Sequence, residues 1–385
     1  MRNNINPNYE FEKEETAGRY EEKEKFYLAS QWQLIWWKFR RHKLAVAGGI
    51  GLIILYFLAI FCEFLSPYSP TDRFTEYSNA PPTKIYFWDK SKKFQRPFIY
   101  GLKRELDMAS LSYKFVKDKT KKYPIRFFVK GKPYKLWGLI PTNFHLFGIE
   151  GGADTPIFLF GGDDLGRDLF SRILYGARIS LSIGLVGVFL SFILGIIIGG
   201  ISGYYGGQID NIIQRMIDFL ISIPTIPFWM ALSAALPRNW PVVKTYFAIT
   251  ILLSIIGWCG LARVVRGKLL SLREEDFTMA ARLVGASEWR IIIRHLVPSF
   301  TSHLIVSITL SIPSMILGET ALSFLGLGMQ PPAVSWGVLL QDAQKIASIA
   351  LYPWRLIPAL FIVVTVLCFN FLGDGLRDAA DPYAR

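Results

Sequence analysis

The chain has 385 residues, of which 51% are apolar and 19% are charged, and its formal net charge is +13. The apolar residues collect in runs of about twenty, the length that crosses a hydrocarbon layer of about 30 Å, and the charged residues lie between the runs. This pattern is typical of a multi-pass membrane protein and excludes a single soluble fold. The basic excess accompanies no nucleic-acid-binding motif, so we expect no nucleic-acid partner.

The sequence shows no catalytic or metal-binding pattern. Cys62, Cys259 and Cys368 all lie in apolar runs and form no CxxC pair, and the 4 histidines have no metal-ligand spacing. No GxxxxGK[ST] phosphate-binding loop is present. We therefore expect a chain that is not an enzyme and has no cofactor of its own, so that any ATP it uses is bound by another chain.

Residues 1–43 precede the first apolar run. The composition of residues 1–30, rich in charge and poor in apolar side chains, predicts a mobile tail. Apolar residues then recur at helical spacing, at Trp32, Ile35, Trp36 and Phe39. They predict a short helix in the membrane interface, with a helical extension of the first span as the alternative. No cleavable signal peptide is expected, because the first run begins only near Leu44.

Six apolar runs predict six transmembrane helices in an all-α membrane protein. The runs cover about residues 44–62, 179–202, 211–236, 246–265, 300–326 and 354–374. Pro224 and Pro227 in the third run, and Pro313 in the fifth, predict kinks. The dense glycines between Gly184 and Gly207 predict closely packed helices.

Basic residues predict the orientation of the spans. Four of them stand directly before the first run, at Lys38, Arg40, Arg41 and Lys43, and favour the cytoplasm by the positive-inside rule. Six spans then place both termini in the cytoplasm, together with the basic segment 266–299. Residues 63–172 are predicted to lie outside, since long segments translocate largely regardless of their charge.

The 63–172 segment is predicted to be an extracytoplasmic α+β insertion between the first two helices, and 173–385 the membrane core. The stretches IRFFV (125–129) and YKLWGLI (134–140), joined by KGKP, predict a hairpin with a four-residue turn. We interpret the many aromatic residues as the insertion's own small core and its contact with the membrane. Contact with an external partner at the solute entrance is the alternative.

The segment between the fourth and fifth runs, SLREEDFTMAARLVGASEWRIIIRHLVP, is named the 271–298 loop below. Ser271 and Glu274 fit a capping box for a first short helix, which Gly285 ends. Ser287 can cap a second helix. Both helices are predicted to carry an apolar face, formed by Phe277, Ala280, Ala281 and Val284 in the first and by Trp289, Ile292, Ile293 and Leu296 in the second. The small residues suit a projection around which another protein's groove closes.

This loop resembles the cytoplasmic signature of the permease subunits of ATP-driven (ABC) importers. The matching residues are Ala280, Ala281, Gly285 and Pro298, and Met279 stands in place of the usual glutamate. Three further stretches narrow the resemblance to the second permease subunit of the dipeptide and oligopeptide branch: DDLGRDLFSRILYGARISLS (163–182), ETALSFLGLGMQPPAVSWGVLL (319–340) and GDGLRDAADPYAR (373–385). Gly162, where relatives often have threonine, departs from the pattern, and residues 63–160 match nothing in it.

The resemblance implies the six-helix importer fold with alternating access, in a prokaryotic inner membrane. It implies a homologous permease as partner, two ATPase subunits that hold ATP and magnesium, and an external solute-binding protein. The residues expected to couple to the ATPases are Asp276, Phe277, Ala280, Ala281, Arg282, Gly285, Ala286 and Trp289. The expected activity is import of dipeptides or oligopeptides.

Some polar residues near the spans are candidates for function. Glu319, inside the fifth run, is a candidate for the solute pathway, because an ionisable group at membrane depth is usually functional. The alternative is that Glu319 lies near the outer water boundary and that the helix breaks there, before LSFLGLG. Four residues that lead into the second run are expected to anchor the outer boundary, with contact to the binding protein as the alternative: Arg167, Asp168, Arg172 and Arg178.

Other functions remain open from the sequence. An oligosaccharide importer is the first alternative, because this branch also carries sugars and external aromatic residues stack on sugar rings. A passive channel or a membrane enzyme is the remote alternative. The sequence shows neither the filter motif expected of a channel nor the nucleophile and base expected of an enzyme.

Overall fold

The computed structural model describes residues 30–88, 94–108, 112–149, 155–237 and 239–380. Helix α1 covers Gln31–Arg41 and helix α2 covers Lys43–Ile60. His42 separates them with φ −83° and ψ 89°, and its Nδ1 accepts a hydrogen bond from Ala45 N at 3.1 Å. Helix α1 is therefore not a continuous extension of α2. The predicted mobile tail lies outside the described residues, except for Ser30, which caps α1.

After the short helix α3 (Cys62–Leu65), the chain forms an antiparallel four-stranded sheet. The strands follow one another in space as in sequence: β1 (Tyr86–Trp88), β2 (Phe94–Asp107), β3 (Ser112–Leu136) and β4 (Ile140–Ile149). The insertion is thus built around two long hairpins.

The predicted hairpin turn at KGKP is wrong. IRFFV and the first half of YKLWGLI both belong to β3, and KGKP lies at a register shift between Lys130 and Tyr134. The chain turns instead at Trp137 and Gly138, both of which have positive φ. A bulge absorbs the extra residues of KGKP without reversing the chain, so the glycine and proline mark an irregularity in the strand.

The membrane core begins with α4 (Leu169–Tyr205), which at 37 residues is about 55 Å long and exceeds a hydrocarbon layer of about 30 Å. It is followed by α5 (Gly207–Ser222), α6 (Thr225–Ala234), α7 (Val242–Leu272), α8 (Asp276–Leu283) and α9 (Glu288–Arg290). Next come a π-helical turn (Ile291–Leu296), α10 (Val297–Ser299), α11 (Thr301–Phe324), α12 (Trp336–Asp342), α13 (Ile346–Leu351), a 3₁₀ turn (Pro353–Leu356) and α14 (Ile357–Ala380).

Five helices in the described residues are long and apolar enough to cross a membrane, and a sixth span exists only if α5 and α6 count as one. The third span is predicted over 211–236 with kinks, and the structure has a sharp bend there: α5 and α6 are bent by 83° at their junction. Pro224, at the junction, lacks the N–H that a continuous helix needs there. Pro313, in contrast, lies inside an uninterrupted α11.

The core of the bundle lies between α4, α7, α11 and α14. Small residues on α4 allow α7 to approach its backbone, as the glycine-rich sequence predicts. A Cβ added at Gly203 would lie 2.7 Å from Arg266 O, and one at Gly195 would lie 2.9 Å from Leu261 Cδ2. The bundle has two ends. At one end the sheet meets the first residues of α4, where the ring centroids of Phe147 and Phe170 are 5.9 Å apart. At the other end the last residues of α4 contact the 271–298 loop.

Candidate functional site

The 271–298 loop begins later than the sequence predicts. Ser271 lies within α7, which ends at Leu272, and the N-cap residue of α8 is Glu275, so the predicted Ser271–Glu274 capping box is wrong. The residues before Leu272 include no proline and favour helix, so α7 extends past the apolar run. Thr278 Oγ1 donates to Leu272 O at 2.9 Å and holds the start of α8 against the end of α7.

Gly285 ends α8 through a Schellman motif. Its φ is +81°, Gly285 N donates to Arg282 O at 2.9 Å, and Ala286 N donates to Ala281 O at 3.0 Å. This left-handed conformation is open to glycine without steric cost. The helix break predicted at this position is therefore a defined turn that points α9 back toward the bundle.

A buried apolar cluster seats the loop on the bundle. Its members come from α4, α7, the π-helical turn and α11: Tyr204, Val265, Leu269, Ile291, Ile292, Leu296, Phe300 and Leu304. Ala281 and Ala286 pack against this cluster and are only half-buried. Their small size is thus used inside this chain, whereas Ala280 is exposed.

The predicted apolar faces of the two helices are only partly correct. Ile292 and Leu296 are buried, while Trp289 and Ile293 are 50% and 60% exposed. The cause is the π-helical turn at Ile291–Leu296, whose extra residue rotates the side chains away from the spacing of an α-helix.

Polar contacts tie the loop to the end of α4. The Arg282 guanidinium lies 5.2 Å from the ring centroid of Tyr204, and Tyr205 OH donates to Glu288 Oε2 at 2.5 Å. Arg273 Nη1 donates to Tyr204 O at 3.4 Å. These contacts link both loop helices and the end of α7 to the end of α4.

The outer surface of the loop exposes several large apolar side chains among its charged residues. Leu283 and Val284 are both 89% exposed, beside Gly285, around which a Cβ would meet nothing. Other exposed members of this surface are Phe277, Met279, Trp289 and Ile293, and the polar candidate Asp276 is exposed at the first turn of α8. Contiguous exposed apolar side chains of this kind mark a surface for binding another protein.

At the opposite end, two of the predicted boundary residues share one ion-pair network. Arg167 Nε donates to Asp163 Oδ2 at 2.6 Å, and Arg172 pairs with the same carboxylate. Both arginines also reach Asp342 Oδ2, at 3.4 and 3.3 Å. The network joins the start of α4 to the end of α12.

Asp168 has a separate role as the N-cap of α4. Its Oδ2 accepts hydrogen bonds from Ser171 N at 2.9 Å and Ser171 Oγ at 2.6 Å. Burial raises the pKa of Asp168 from 3.8 to about 7, although both bonds to Ser171 oppose the change. Asp168 and Arg172 are each 1% exposed, so neither is available at the surface for the alternative role of contacting a binding protein.

Arg178 lies away from that network. It binds Glu63 through Nη1 to Oε1 and Nη2 to Oε2, both at 2.5 Å, and donates from Nη2 to Ile60 O at 2.9 Å. This two-point ion pair joins α4 to α3, and the hydrogen bond to Ile60 O joins α4 to the end of α2. The three arginines of the predicted boundary set therefore join separate elements, whereas Asp168 caps its own helix.

Glu319 is fully buried inside α11, which continues to Phe324. The predicted alternative of a helix break before LSFLGLG is therefore wrong. Ser180 Oγ donates to Glu319 Oε2 at 3.1 Å, and Ser323 Oγ donates to Oε1 at 2.7 Å. The same two serines accept backbone hydrogen bonds, Ser180 Oγ from Trp336 N and Ser323 Oγ from Met329 N. Through these serines Glu319 holds the segment between α11 and α12 in place.

A cavity of about 300 Å³ lies between α4, α6, α7 and α11. Its polar lining includes Ser191, Thr225, Trp229, Ser307, Ser311 and Ser314. Within the described residues, Ser191 Oγ and Trp229 Nε1 are buried without a hydrogen-bond partner. Glu319 does not line this cavity.

The serine-lined cavity was not predicted from the sequence. The available signal was the spacing of Ser307, Ser311 and Ser314, which places them on one face of a helix. Their partners on α4 and α6 could not be assigned from the sequence, because those helices are distant in the chain.

Two family models match the chain. Residues 191–385 match the family described as binding-protein-dependent transport system inner membrane component. Residues 30–82 match the N-terminal TM domain of oligopeptide transport permease C. The two matches cover the 271–298 loop, α1 and α2.

Curated relatives and solved structures give further similarities. The dipeptide transport system permease protein DppC of Bacillus subtilis (strain 168) is 32% identical over 351 residues, 91% of this chain and 85% of the relative. The oligopeptide transport system permease protein OppC of the same strain is 42% identical over 227 residues, 59% of this chain and 72% of the relative. An inward-facing structure of the MetNI methionine ABC transporter matches with a TM-score of 0.42 and 20% identity, over 54% of this chain and 95% of that one.

The relatives confirm the resemblance drawn from the loop signature and from the three motif stretches. This chain belongs to the family of binding-protein-dependent transport system inner membrane components and, within it, to the dipeptide and oligopeptide permeases of ABC importers.

Proposed function

We propose that this chain forms half of the solute pathway of an ATP-driven importer of dipeptides or oligopeptides. The observation that carries the proposal is the exposed apolar surface of the 271–298 loop, seated on a buried cluster that includes α4, α7 and α11 residues. A force applied to such a loop moves three long helices together. The peptide class is carried over from the dipeptide and oligopeptide permeases that the chain resembles.

The partners follow from the family. A homologous permease completes the pathway, two ATPase subunits bind the loops and hold ATP and magnesium, and an external binding protein delivers the solute. Closure of the ATPases draws the loops together and favours one packing of the helices over another, which gives alternating access.

For orientation, we count the bent pair α5 and α6 as one span, which gives six in a multi-pass inner-membrane protein. Both termini and the 271–298 loop are then cytoplasmic, and the sheet lies outside. The basic residues before α2 support this orientation. The test is a cysteine introduced at the exposed position of Lys117. If this cysteine is labelled only by a reagent on the cytoplasmic side, the proposed orientation is wrong.

We assign the serine-lined cavity to the wall of the pathway. Buried polar atoms usually have partners, and two of the buried donors without a partner in the described residues, Ser191 Oγ and Trp229 Nε1, border this space. Both atoms are buried in this packing of the helices, so they would bind the carbonyl oxygens of a passing peptide only after the helices move apart. Glu319 contributes by holding the neighbouring segment, without touching the solute.

Docking is tested by introducing Val284→Cys and crosslinking it to the ATPases in the assembled complex. The matched control is Val116→Cys, an exposed valine on β3 at the other end of the molecule. We expect an adduct only with the first variant. An adduct with neither variant contradicts docking, and labelled-peptide uptake that continues without the ATPases indicates a channel.

The solute is tested through the cognate binding protein, by calorimetric titration with peptides and oligosaccharides. We expect binding of peptides of two or more residues. Binding of oligosaccharides alone would replace the solute assignment and leave the docking assignment intact.

A further inference from the structure

The turn between β3 and β4 exposes a group of apolar side chains. Trp137 is 47% exposed, Leu139 is 78% exposed and Ile140 is 52% exposed. These residues and Gly138 are named the 137–140 tip. Its large side chains cover no part of the insertion's own core, which lies around Ile99, Ile125 and Ile157.

The 137–140 tip lies beside the end of a candidate membrane span. Trp137 Nε1 donates to Ile60 O at 2.9 Å, and Ile60 is the last residue of α2. Since α2 has the length and composition to cross a bilayer, its end marks the boundary between hydrocarbon and headgroups. The tip is therefore at the depth of that boundary.

A continuous apolar strip connects α2 to the tip. Ile53 and Phe57, on the exposed side of α2, are 70% and 52% exposed. The ring of Phe57 lies 4.8 Å from that of Phe61, which lies 5.7 Å from that of Trp137. If lipid covers the exposed side of α2, the same lipid surface reaches the tip.

The backbone conformation gives an independent indication that the large side chains near the tip have a use. Trp137 has a φ of 54° and Phe128 has a φ of 55°, a left-handed region that bulky residues rarely adopt. Glycine or asparagine is preferred at such a turn position. Both aromatic rings face the end of α2 and α3, where Phe128 lies 6.2 Å from Phe64. Strained positions that keep large side chains point to a use for those side chains.

We propose that the 137–140 tip inserts into the headgroup region of the bilayer and anchors the sheet to the membrane beside α2. Trp137 is suited to this depth, because its ring is apolar and its N–H is already satisfied by Ile60 O. The exposed Lys135 precedes the turn, where its ammonium group meets lipid phosphates. The anchor fixes the orientation of both hairpins relative to the membrane.

The test places a nitroxide on Leu139→Cys in the full chain in lipid nanodiscs and measures collisions with oxygen and with a water-soluble nickel chelate. Val116→Cys, on the same strand β3 and 45% exposed, is the control for a site in water. The unsubstituted chain supplies the background from its own cysteines. We expect the oxygen-to-nickel collision ratio to be several-fold higher at residue 139 than at residue 116.

Two outcomes overturn the proposal. Equal ratios at the two sites show that the tip is in water. Low collision rates with both reagents at residue 139 show that another protein covers it. Adding Trp137→Gly, which suits the positive φ, should lower the ratio at residue 139, and an unchanged ratio contradicts the role of Trp137 as the anchor.

Discussion

Asp210 and Arg266 form a two-point ion pair between α5 and α7. Arg266 Nε donates to Asp210 Oδ1 at 2.5 Å, and Nη2 pairs with Oδ2. Ser202 Oγ also donates to Asp210, so the carboxylate connects α4, α5 and α7 close to the 271–298 loop. We therefore expect movement of the loop to reach the bent pair α5 and α6, of which α6 borders the cavity.

We expect Asp210→Asn to reduce solute uptake without preventing assembly. The substitution keeps the side-chain shape but removes the charge that holds Arg266, so the force from the loop is no longer passed to α5. Uptake of labelled peptide and ATP hydrolysis are measured in the same vesicles, and the expected result is hydrolysis with little uptake.

Asp218→Asn is the matched control for Asp210→Asn. Asp218 pairs with Arg263 between the same two helices, but the two side chains are 57% and 42% exposed. Exposed ion pairs contribute about 0–1 kcal/mol, so uptake should change little. A loss of uptake equal to that of Asp210→Asn contradicts a specific role for the Asp210–Arg266 pair.

Gly285→Val is expected to uncouple transport from ATP hydrolysis. A left-handed backbone costs a residue with a side chain about 1–2 kcal/mol, and valine is among the residues least suited to it. The strain distorts the Schellman turn and the apolar surface at Leu283 and Val284. Peptide uptake per ATP hydrolysed is the measurement.

Gly285→Asn separates backbone strain from added volume. Asparagine tolerates positive φ, and the structure has open space around a Cβ at this position. Uptake near that of the parent is expected if the backbone conformation matters. Equal loss in both variants indicates instead that the ATPase needs contact with a bare backbone.

Ser314→Leu should block the serine-lined cavity. Ser314 borders the cavity from α11 and is exposed to it, so a larger side chain extends into the space without disturbing a packed core. We expect strongly reduced uptake with unchanged copurification of the ATPases. Ser302→Leu, on the same helix but outside the cavity, should transport normally, and transport by Ser314→Leu at the parent rate contradicts the pathway assignment.

The stability of the chain should depend on the titration of Asp168. Its pKa is raised from 3.8 to about 7 by burial, so between these values the folded chain binds a proton that the unfolded chain has lost. The contribution of Asp168 to the free energy of unfolding therefore decreases as the pH rises from about 4 to about 7 and is constant above that range.

Asp168→Asn removes this titration while keeping a good N-cap residue. The difference in thermal unfolding temperature between about pH 5 and about pH 8 should be smaller in the variant than in the parent. A difference of the same size in both proteins contradicts the assignment of a raised pKa to Asp168.

The sequence predicted the apolar helices and the 271–298 loop because both depend on local composition and spacing. A run of about twenty apolar residues favours a membrane helix in any context. Gly285 ends α8 because a positive φ is a local requirement. These features, with the motif stretches, were sufficient for the family.

The remaining features depended on the tertiary structure, because the groups involved are far apart in the chain. Glu319 is separated from Ser180 by 139 residues, and Asp210 from Arg266 by 56. The bend at Pro224 was predicted in part from the sequence and depends in part on the tertiary structure. Proline predicts a kink from sequence alone, but the 83° angle depends on how α5 and α6 pack against α7 and α11, where contacts between helices set the direction of each segment.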